Sequence, residues 1–251
     1  MLPKVGYTED TKGARESGVT DFWEHGFENE LRMGTNIINS AKRAGVQHVV
    51  FSSVGATERT EGLGISHFDA KREIEHRLLQ SELNWTILRP VTFMENIISP
   101  RFRKTICKQG VLQFGFNRER VFQFVAMTDL AIFVALAFKN DPRLQGKATE
   151  IASDAVTMPQ LAEILGKKVG RQVKYKFLGY SVQRAIAVFI QLTRTQGAFK
   201  AGPSLVNQFR WNNGSQHGGW NADLEALRNI NPRLMTVEQW VDSVDWWEGL
   251  T

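Results

Sequence analysis

The sequence predicts an α/β protein with a doubly wound parallel sheet and a smaller α+β lobe towards the C-terminus. Two short apolar runs, VQHVVFSS at 46–53 and LNWTILRP at 83–90, are typical of strands buried on both faces of a parallel sheet. One helical pattern of apolar residues precedes the first run, and another lies between the runs. Strand, loop, helix and strand in this order form a crossover unit, and such sheets bind ligands beyond the carboxyl ends of their strands.

The elements of this unit carry recognisable start and stop signals. Residues 33–45 have apolar side chains at helical spacing, and Gly45 stands where a helix C-cap is expected. Ser66 and Asp69 form an S-x-x-D pattern, which predicts a capping box at the start of the next helix. Pro90 ends the second strand because proline has no N–H to donate to a sheet. These signals predict one helix before each strand.

Beyond residue 100, short strands alternate with helices, which predicts the α+β lobe. The expected strands are VLQFGF (111–116), VFQFVAM (121–127) and ATEIAS (148–153), and the expected helices cover 128–140, 157–170 and 235–247. Thr157 and Gly170 fit the N-cap and the C-cap of the second of these helices. We expect the tryptophans of the last helix to pack back on the lobe.

Composition excludes several classes of protein. The chain has 251 residues, of which 42% are hydrophobic and 23% charged, so it can bury a sizeable core. Its longest apolar stretches fall short of the ~20 residues that a membrane span needs, and its N-terminus has no signal-peptide pattern. The single Cys107 excludes an internal disulfide framework and a cysteine-based zinc site. We expect a protein of the cytoplasm, or of cytoplasm and nucleus, without a metal site.

The charge balance is mildly basic. There are 31 Lys and Arg against 26 Asp and Glu, a net charge of +5, which would favour an anionic ligand such as a dinucleotide. The positive charges are scattered along the chain, and the densest cluster, RFRKTICKQ at 101–109, is a single short patch. No nucleic-acid-binding module is recognisable, so nucleic-acid binding is not expected.

A histidine and a lysine at the start of the second helix are the candidate functional pair. His67 and Lys71 lie on the same helical stripe as Ile74 and Leu78, so Lys71 is expected to point inward. Such a lysine either extends to the rim of the fold or is held over the strand ends by a bound anion or a ribose hydroxyl. If Lys71 extends to the rim, His67 forms an ordinary hydrogen bond at the helix start. If Lys71 holds a ligand, His67 is part of the same site. The spacing H-x-x-x-K does not by itself decide between these readings.

Seven segments in order carry a resemblance to a known family over residues 18 to 251. They are VTDFWE (19–24), AGVQHVVFSSVG (44–55), HFDAKREIE (67–75), WTILRPVTFMENI (85–97), MTDLA (127–131), TMPQLAEILG (157–166) and DLEALRNINPRLMTVEQWV (223–241). Together they resemble the NmrA-like family of atypical short-chain dehydrogenases. This resemblance implies a Rossmann-type domain that binds NADP(H), here residues 18–100, and a smaller lobe, mainly residues 101–251, with 1–17 unmatched and poorly ordered.

The resemblance also implies roles for individual residues. The cofactor contacts it implies are Asp21, Phe22 and Trp23 in the loop after the fourth strand, Arg32 near the phosphates, Lys71 at the nicotinamide ribose, and Phe93, Met94, Glu95 and Asn96 alongside the nicotinamide. His67 stands where ordinary short-chain dehydrogenases have a catalytic tyrosine, so His67 and Lys71 are the catalytic candidates. Ser52 and Ser53 complete the expected cofactor-binding residues and could assist a substrate carbonyl, although serines that end a strand commonly bond backbone groups.

One expected feature is missing. A dinucleotide fold holds the pyrophosphate on a glycine-rich turn after its first strand, and no such turn precedes residue 18. Without the first half of the domain, the remaining sheet would expose an edge strand. Three explanations remain open: a true start further upstream, a fragment completed by a partner chain, or a degenerate paralogue that no longer binds dinucleotide.

The function expected from the residues and the resemblance is that of an NAD(P)(H)-binding protein. It would act as a redox-linked regulator or as an NAD(P)H-dependent reductase of a small-molecule substrate that the sequence does not specify. The alternative is a non-catalytic scaffold, in which the C-terminal lobe and the exposed sheet bind a protein partner or a second copy of the chain.

Overall fold

The described part of the chain begins at the helix that precedes the first predicted strand. A computed structural model describes residues 22–183, 185 and 202–249, with side chains left out at 22–26, 202–203 and 216–217. The unmatched segment 1–17 and Asp21 lie outside these residues. None of the described helices combines the length and the apolar character needed to cross a bilayer.

Helices and strands alternate through most of the chain. In order they are α1 Phe22–Arg43, β1 Val49–Ser52, α2 Ser66–Leu79, β2 Trp85–Pro90, β3 Thr92–Phe93, α3 Pro100–Lys104, β4 Val111–Phe114, β5 Val121–Val125, α4 Met127–Phe138, β6 Ala148–Ile151, β7 Asp154–Thr157, α5 Met158–Val169, β8 Lys174–Phe177, α6 Gly202–Gly214, α7 Leu224–Ile230 and α8 Val237–Ser243. A π-helical turn, Thr105–Gln109, follows α3.

The first sheet confirms the predicted parallel arrangement. Its strand order is β1–β2–β6, and both pairs are parallel, with Val50 opposite Thr86 and Leu88 opposite Thr149. Among the described residues β1 pairs only with β2, so it forms one edge of this sheet. The α/β class with parallel sheets is therefore confirmed.

Helices α1 and α2 pack against each other beside this sheet. Ile38 of α1, Ile74 and Leu78 of α2, and Ile87 of β2 form a buried apolar cluster. A Cβ at Gly34 of α1 would lie 2.6 Å from the Cδ1 of Ile74, so glycine at this position permits the close approach of the two helices.

The smaller lobe contains two further sheets. In one of them β5 is central, pairing with β3 in parallel and with β7 antiparallel. In the other, β4 and β8 form a parallel pair. The core of this lobe contains Leu165 of α5, Trp240 of α8, Trp246 just after α8, and Phe122 of β5.

Part of the chain beyond residue 100 returns to the first sheet. Helix α4 packs on β1 and β2, and β6 pairs with β2. Trp220 and Leu227, much further along the chain, belong to the same buried cluster as Leu88 of β2 and Phe133 of α4. The core at the first sheet thus draws on both halves of the chain.

Two helix starts differ from the prediction. Helix α1 begins at Phe22, well before residue 33, and Trp23, Phe27 and Leu31 continue the helical spacing of apolar residues into its first half. The prediction of a capping box at Ser66 and Asp69 is wrong, because Ile65 is the N-cap and no side chain caps α2. Ser66 Oγ instead lies 3.3 Å from the Oγ of Ser204 on α6, and Asp69 pairs with Arg72 at 3.0 Å. Ser66 is therefore engaged by a tertiary contact and Asp69 by a residue one turn further along α2, so neither side chain caps the helix.

Other end signals are confirmed. Thr157 and Gln160 form a reciprocal capping box at the start of α5, and Gly170 ends that helix with a φ of +72°. Near Arg43, the last residue of α1, Gly45 has a φ of +65°. The predicted helix at 235–247 is shorter, Val237–Ser243, and the Nε1 of the following Trp246 donates to the Val241 carbonyl at 2.9 Å.

A buried ion pair lies where β2 ends against α2. The guanidinium of Arg89 donates to both carboxylate oxygens of Glu75, at 3.0 Å and 2.6 Å, and also to Glu58 at 2.9 Å. The Glu75 side chain is 2% exposed. Burial acts to lower the pKa of Arg89, but the bonds and charges of Glu75 and Glu58 outweigh it and raise that pKa.

Removal of Arg89 should strongly destabilise the fold. Arg89→Ala leaves the Glu75 carboxylate buried without its partner, and breaking a buried pair in this way costs about 3–5 kcal/mol. The exposed pair Lys42–Glu82 provides the control, because Lys42→Ala should cost less than about 1 kcal/mol. Urea unfolding of the two variants measures both values, and equal losses would contradict this account of the Arg89 pair.

Candidate functional site

The carboxyl ends of β1 and β2 lie side by side beneath the C-terminal lobe. The Ser53 N–H donates to the Leu88 carbonyl at 2.8 Å, and the Gly55 N–H donates to the Pro90 carbonyl at 2.9 Å. Ser52 is exposed, whereas Ser53 is 4% exposed. The buried Ser53 Oγ has no hydrogen-bond partner among the described residues. A buried hydroxyl without a partner is uncommon, and it marks this strand end as a place where a ligand group could bond.

The loop after β1 is tied to β6 and to the C-terminal lobe through one carboxylate. Glu150 Oε1 accepts bonds from the Ala56 N–H at 2.9 Å and from Arg59 at 2.6 Å. Its Oε2 accepts a bond from the Asn221 N–H at 2.9 Å. This side chain therefore holds the strand-end loop in one position relative to the C-terminal lobe.

Aromatic side chains pack over the same loop. A Cβ at Gly55 would lie 2.8 Å from the ring of Trp220, so glycine is needed for this approach. The Trp220 Nε1 donates to Thr92 Oγ1 at 3.1 Å, and its ring meets those of Phe68 and Trp211 with centroids 5.8 Å and 5.1 Å away. The strand-end loop thus packs directly on the C-terminal lobe.

His67 lies in the first turn of α2, in contact with α6. Its Nδ1 is 3.3 Å from the Oγ of Ser204, and its ring is also hydrogen-bonded to the Gln208 side chain. Burial and the nearby Lys71 ammonium lower the pKa of His67 to about 4, although the Gln208 bond acts in the opposite direction. The imidazole is therefore neutral at pH 7.

Lys71 is placed at the rim of the helix pair. Ile74 and Leu78 on its stripe are buried, as the spacing predicts, and the Lys71 side chain is 27% exposed. Its ammonium forms an ion pair with the carboxylate of Glu30 on α1. Lys71 thus lies between α1 and α2, close enough to His67 to affect its pKa.

The remaining predicted site residues are dispersed. Arg32 is exposed on α1 and bonds Asn29 at 2.7 Å, and Phe22 and Trp23 begin that helix instead of lying in the expected loop. In the segment after β2, Phe93 is half-buried, Met94 is buried in the lobe core and Asn96 is exposed.

Glu95 is turned towards the C-terminal lobe. Its Oε1 accepts bonds from the Met127 N–H at 3.0 Å and from Trp240 Nε1 at 3.1 Å. It therefore joins the start of α4 to α8. The structure brings together His67 and Lys71, places Ser53 at the carboxyl end of β1, and directs Glu95 to other contacts.

Sequence reasoning missed several residues around this region. They are Glu30, Glu150, Ser204, Gln208 and Trp220. For Glu150 there was a signal in the sequence, because it is a charged residue within the otherwise apolar strand ATEIAS. The others lie far from their partners in sequence and have no local motif.

The polar carboxyl ends of adjacent parallel strands and the helices packed beside them define a doubly wound, Rossmann-like α/β protein. The chain belongs to the NmrA-like family, whose model matches residues 17–241. It is 23% identical over 187 residues to an NmrA-like family domain-containing protein of Dictyostelium discoideum, covering 68% of this chain and 62% of that protein.

The relatives include oxidoreductases. Over 144 residues the chain is 31% identical to quinone oxidoreductase 2 of Escherichia coli (strain K12), covering 57% of this chain and 48% of that protein. The chain thus spans about half the length of this curated relative.

Solved structures support the fold assignment. The NADPH-dependent quinone oxidoreductase of Escherichia coli complexed with NADPH aligns with a TM-score of 0.67 and 24% identity, covering 84% of this chain and 70% of that chain. The negative transcriptional regulator NmrA in complex with NADP aligns with a TM-score of 0.63 and 15% identity, covering 85% of this chain and 69% of that chain. At such identities these likenesses establish the fold alone.

The low pKa of His67 predicts a pH-dependent stability. In the unfolded chain this imidazole binds a proton below about pH 6.5, whereas in the folded chain it does so only below about pH 4. The unfolded state therefore binds more protons between these values, and stability falls as the pH decreases from 6.5 to 4. Urea unfolding across this range should show a smaller fall for His67→Gln than for the original chain. Parallel curves would contradict a half-buried His67 that stays neutral down to about pH 4.

Proposed function

We propose that this chain is an NAD(P)(H)-binding, redox-linked regulator and not a reductase that protonates its substrate through His67. The observation that carries this proposal is the packing of the His67 ring against α6, which partly desolvates the imidazole and lowers its pKa to about 4. A general acid works best when its pKa lies near the working pH, and a pKa of about 4 leaves almost no imidazolium at pH 7. The His67 ring is also engaged by Ser204 and Gln208, which suits a positioning role.

Two groups fit the nicotinamide-ribose side of a dinucleotide. The Ser53 Oγ is buried without a partner in the described part of the chain, so a ligand hydroxyl would satisfy it. The Lys71 ammonium has three donors, so it can keep Glu30 and still donate to a ribose hydroxyl. When bound, the nicotinamide ring would supply a hydride and a redox state for the protein to sense.

We assign the pyrophosphate contacts to groups outside the described residues. The sequence has no glycine-rich turn of the kind that binds a pyrophosphate, so a second chain or another segment would have to provide those amides. The solved relatives complexed with NADPH and with NADP support dinucleotide as the ligand class.

A second candidate is a protein-interaction scaffold without cofactor. The observation that favours it is the edge of the first sheet, because β1 pairs only with β2 among the described residues. On the neighbouring α1, Met33 and Ile37 are 44% and 63% exposed. An unpaired edge strand next to exposed apolar side chains is typical of a surface that another chain covers.

Lys71→Ala separates the two candidates. A charge-assisted hydrogen bond contributes about 1.5–3 kcal/mol, so the substitution should weaken NADPH binding about tenfold or more if Lys71 holds the ribose. Titration of the purified chain, followed by cofactor fluorescence, measures the Kd. Lys42→Ala, which removes an exposed lysine from α1, should leave that value unchanged.

Two outcomes would contradict the proposal, one from this titration and one from an assay of NADPH oxidation. If the folded chain does not bind NADPH, the scaffold candidate is favoured and the glycine-rich turn is essential. If binding occurs but His67→Gln abolishes NADPH oxidation by menadione, the chain is a reductase that depends on His67, and the regulator assignment is wrong.

A further inference from the structure

A groove with an excess of positive charge lies between α5 and β8, in the smaller lobe. It encloses about 650 Å³ and is lined by Arg118, Lys167, Arg171 and Lys174, with Glu163 as its acidic residue. These five residues define the basic groove. Its volume lies within the range of about 300–1,000 Å³ that is common for ligand sites.

Most of the positive charge in the groove is uncompensated. Glu163 pairs with Lys167 at 3.2 Å, one turn further along α5. Within the described ranges, Arg118, Arg171 and Lys174 have no carboxylate partner within 4.0 Å. The groove therefore presents three cationic side chains that an anionic ligand could pair with.

One of these cations is held in place by the backbone. The Nη1 of Arg171 donates to the carbonyl oxygens of Cys107 and Lys108, each at 2.9 Å. These carbonyls belong to the π-helical turn after α3, and such turns are frequent at functional sites. The fixed guanidinium loses little conformational entropy when it pairs with a ligand.

The groove lies at the start of an unpaired strand edge, where Lys174 and Tyr175 of β8 line it. The N–H groups of Lys174 and Leu178 donate to Gly110 and Phe114, at 2.9 Å and 2.8 Å, so they point towards β4. Successive N–H groups of a strand point in opposite directions, so those of Tyr175 and Phe177 point away from β4. In the part of the chain that the structure describes, β8 pairs with β4 alone.

Helix α5 lies beside the start of this edge. A Cβ at Gly166 would be 3.3 Å from the backbone N of Val173, the residue before β8. The groove is therefore bounded by α5 on one side and by the start of β8 on the other. A strand edge beside a helix is the geometry in which extended peptides bind by adding a strand.

We propose that the basic groove binds an acidic peptide segment in extended conformation, which adds to β8 as a further strand. The peptide backbone would bond the outward N–H and C=O groups of Tyr175 and Phe177. Its carboxylates would pair with Arg118, Arg171 and Lys174. Lysines on an edge strand normally discourage pairing, but they do so least against an acidic strand. This inference is independent of dinucleotide binding.

The probe for this site is a fluorescein-labelled octapeptide of alternating Glu and Val. Fluorescence anisotropy with the full chain at ~50 mM salt, where surface charges are little screened, should give saturable binding.

Charge reversal by Lys174→Glu or Arg118→Glu should weaken this binding at least tenfold. Lys139→Glu, which reverses an exposed lysine at the end of α4, should change it less than twofold. Arg118 is exposed, so its variant tests the proposal even if Lys174→Glu unfolds the edge strand.

Two further probes test the class of ligand and the binding mode. An octapeptide N-methylated at alternate residues retains its charge but loses the donors that a strand needs, so it should bind at least tenfold more weakly. Equal binding of the methylated peptide would overturn strand addition. Equal or tighter binding of a DNA duplex would overturn the assignment to an acidic peptide, and an equal effect of Lys139→Glu would overturn the assignment to this groove.

Discussion

The carboxylate of Glu150 connects three parts of the molecule that lie far apart in sequence. From its own strand, β6, it accepts bonds from Ala56 and Arg59 in the loop after β1 and from the backbone before α7. Arg59 in turn donates to the Gly219 carbonyl at 3.2 Å, next to Trp220. The position of the strand ends relative to the C-terminal lobe depends on this carboxylate. Since the candidate site lies at those strand ends, its geometry depends on Glu150 as well.

The electrostatics of the candidate site follow from its position under α6. Contact with α6 partly buries His67 and, with Lys71 nearby, lowers its pKa, so the pair resembles a catalytic arrangement in spacing but not in protonation. Lys71 already pairs with Glu30, which keeps the ammonium at the rim between α1 and α2. A ligand there would meet an oriented cation and a neutral imidazole. Such a site favours binding over proton transfer.

The strand edges at β1 and at β8 differ in chemistry. The edge at β1 lies near the exposed apolar side chains of α1, such as Ile37, and suits burial against another chain. The edge at β8 carries Lys174 and runs beside Arg171, so it disfavours a neutral or basic strand. Charge therefore distinguishes the partners that each edge can accept.

The sequence by itself determined the α/β class, the parallel pairing of β1 with β2 and the caps of α5, because these depend on local apolar patterns and on residues three or four positions apart. It also placed Lys71, Ile74 and Leu78 on one helical stripe. Only the tertiary structure decided what those groups do. Ser204 contacts Ser66, Glu30 pairs with Lys71, and Glu95 turns to Trp240, each through contacts between residues distant in the chain. The pKa of His67 was equally inaccessible, because desolvation depends on the burial that α6 provides and not on the residues beside it in sequence.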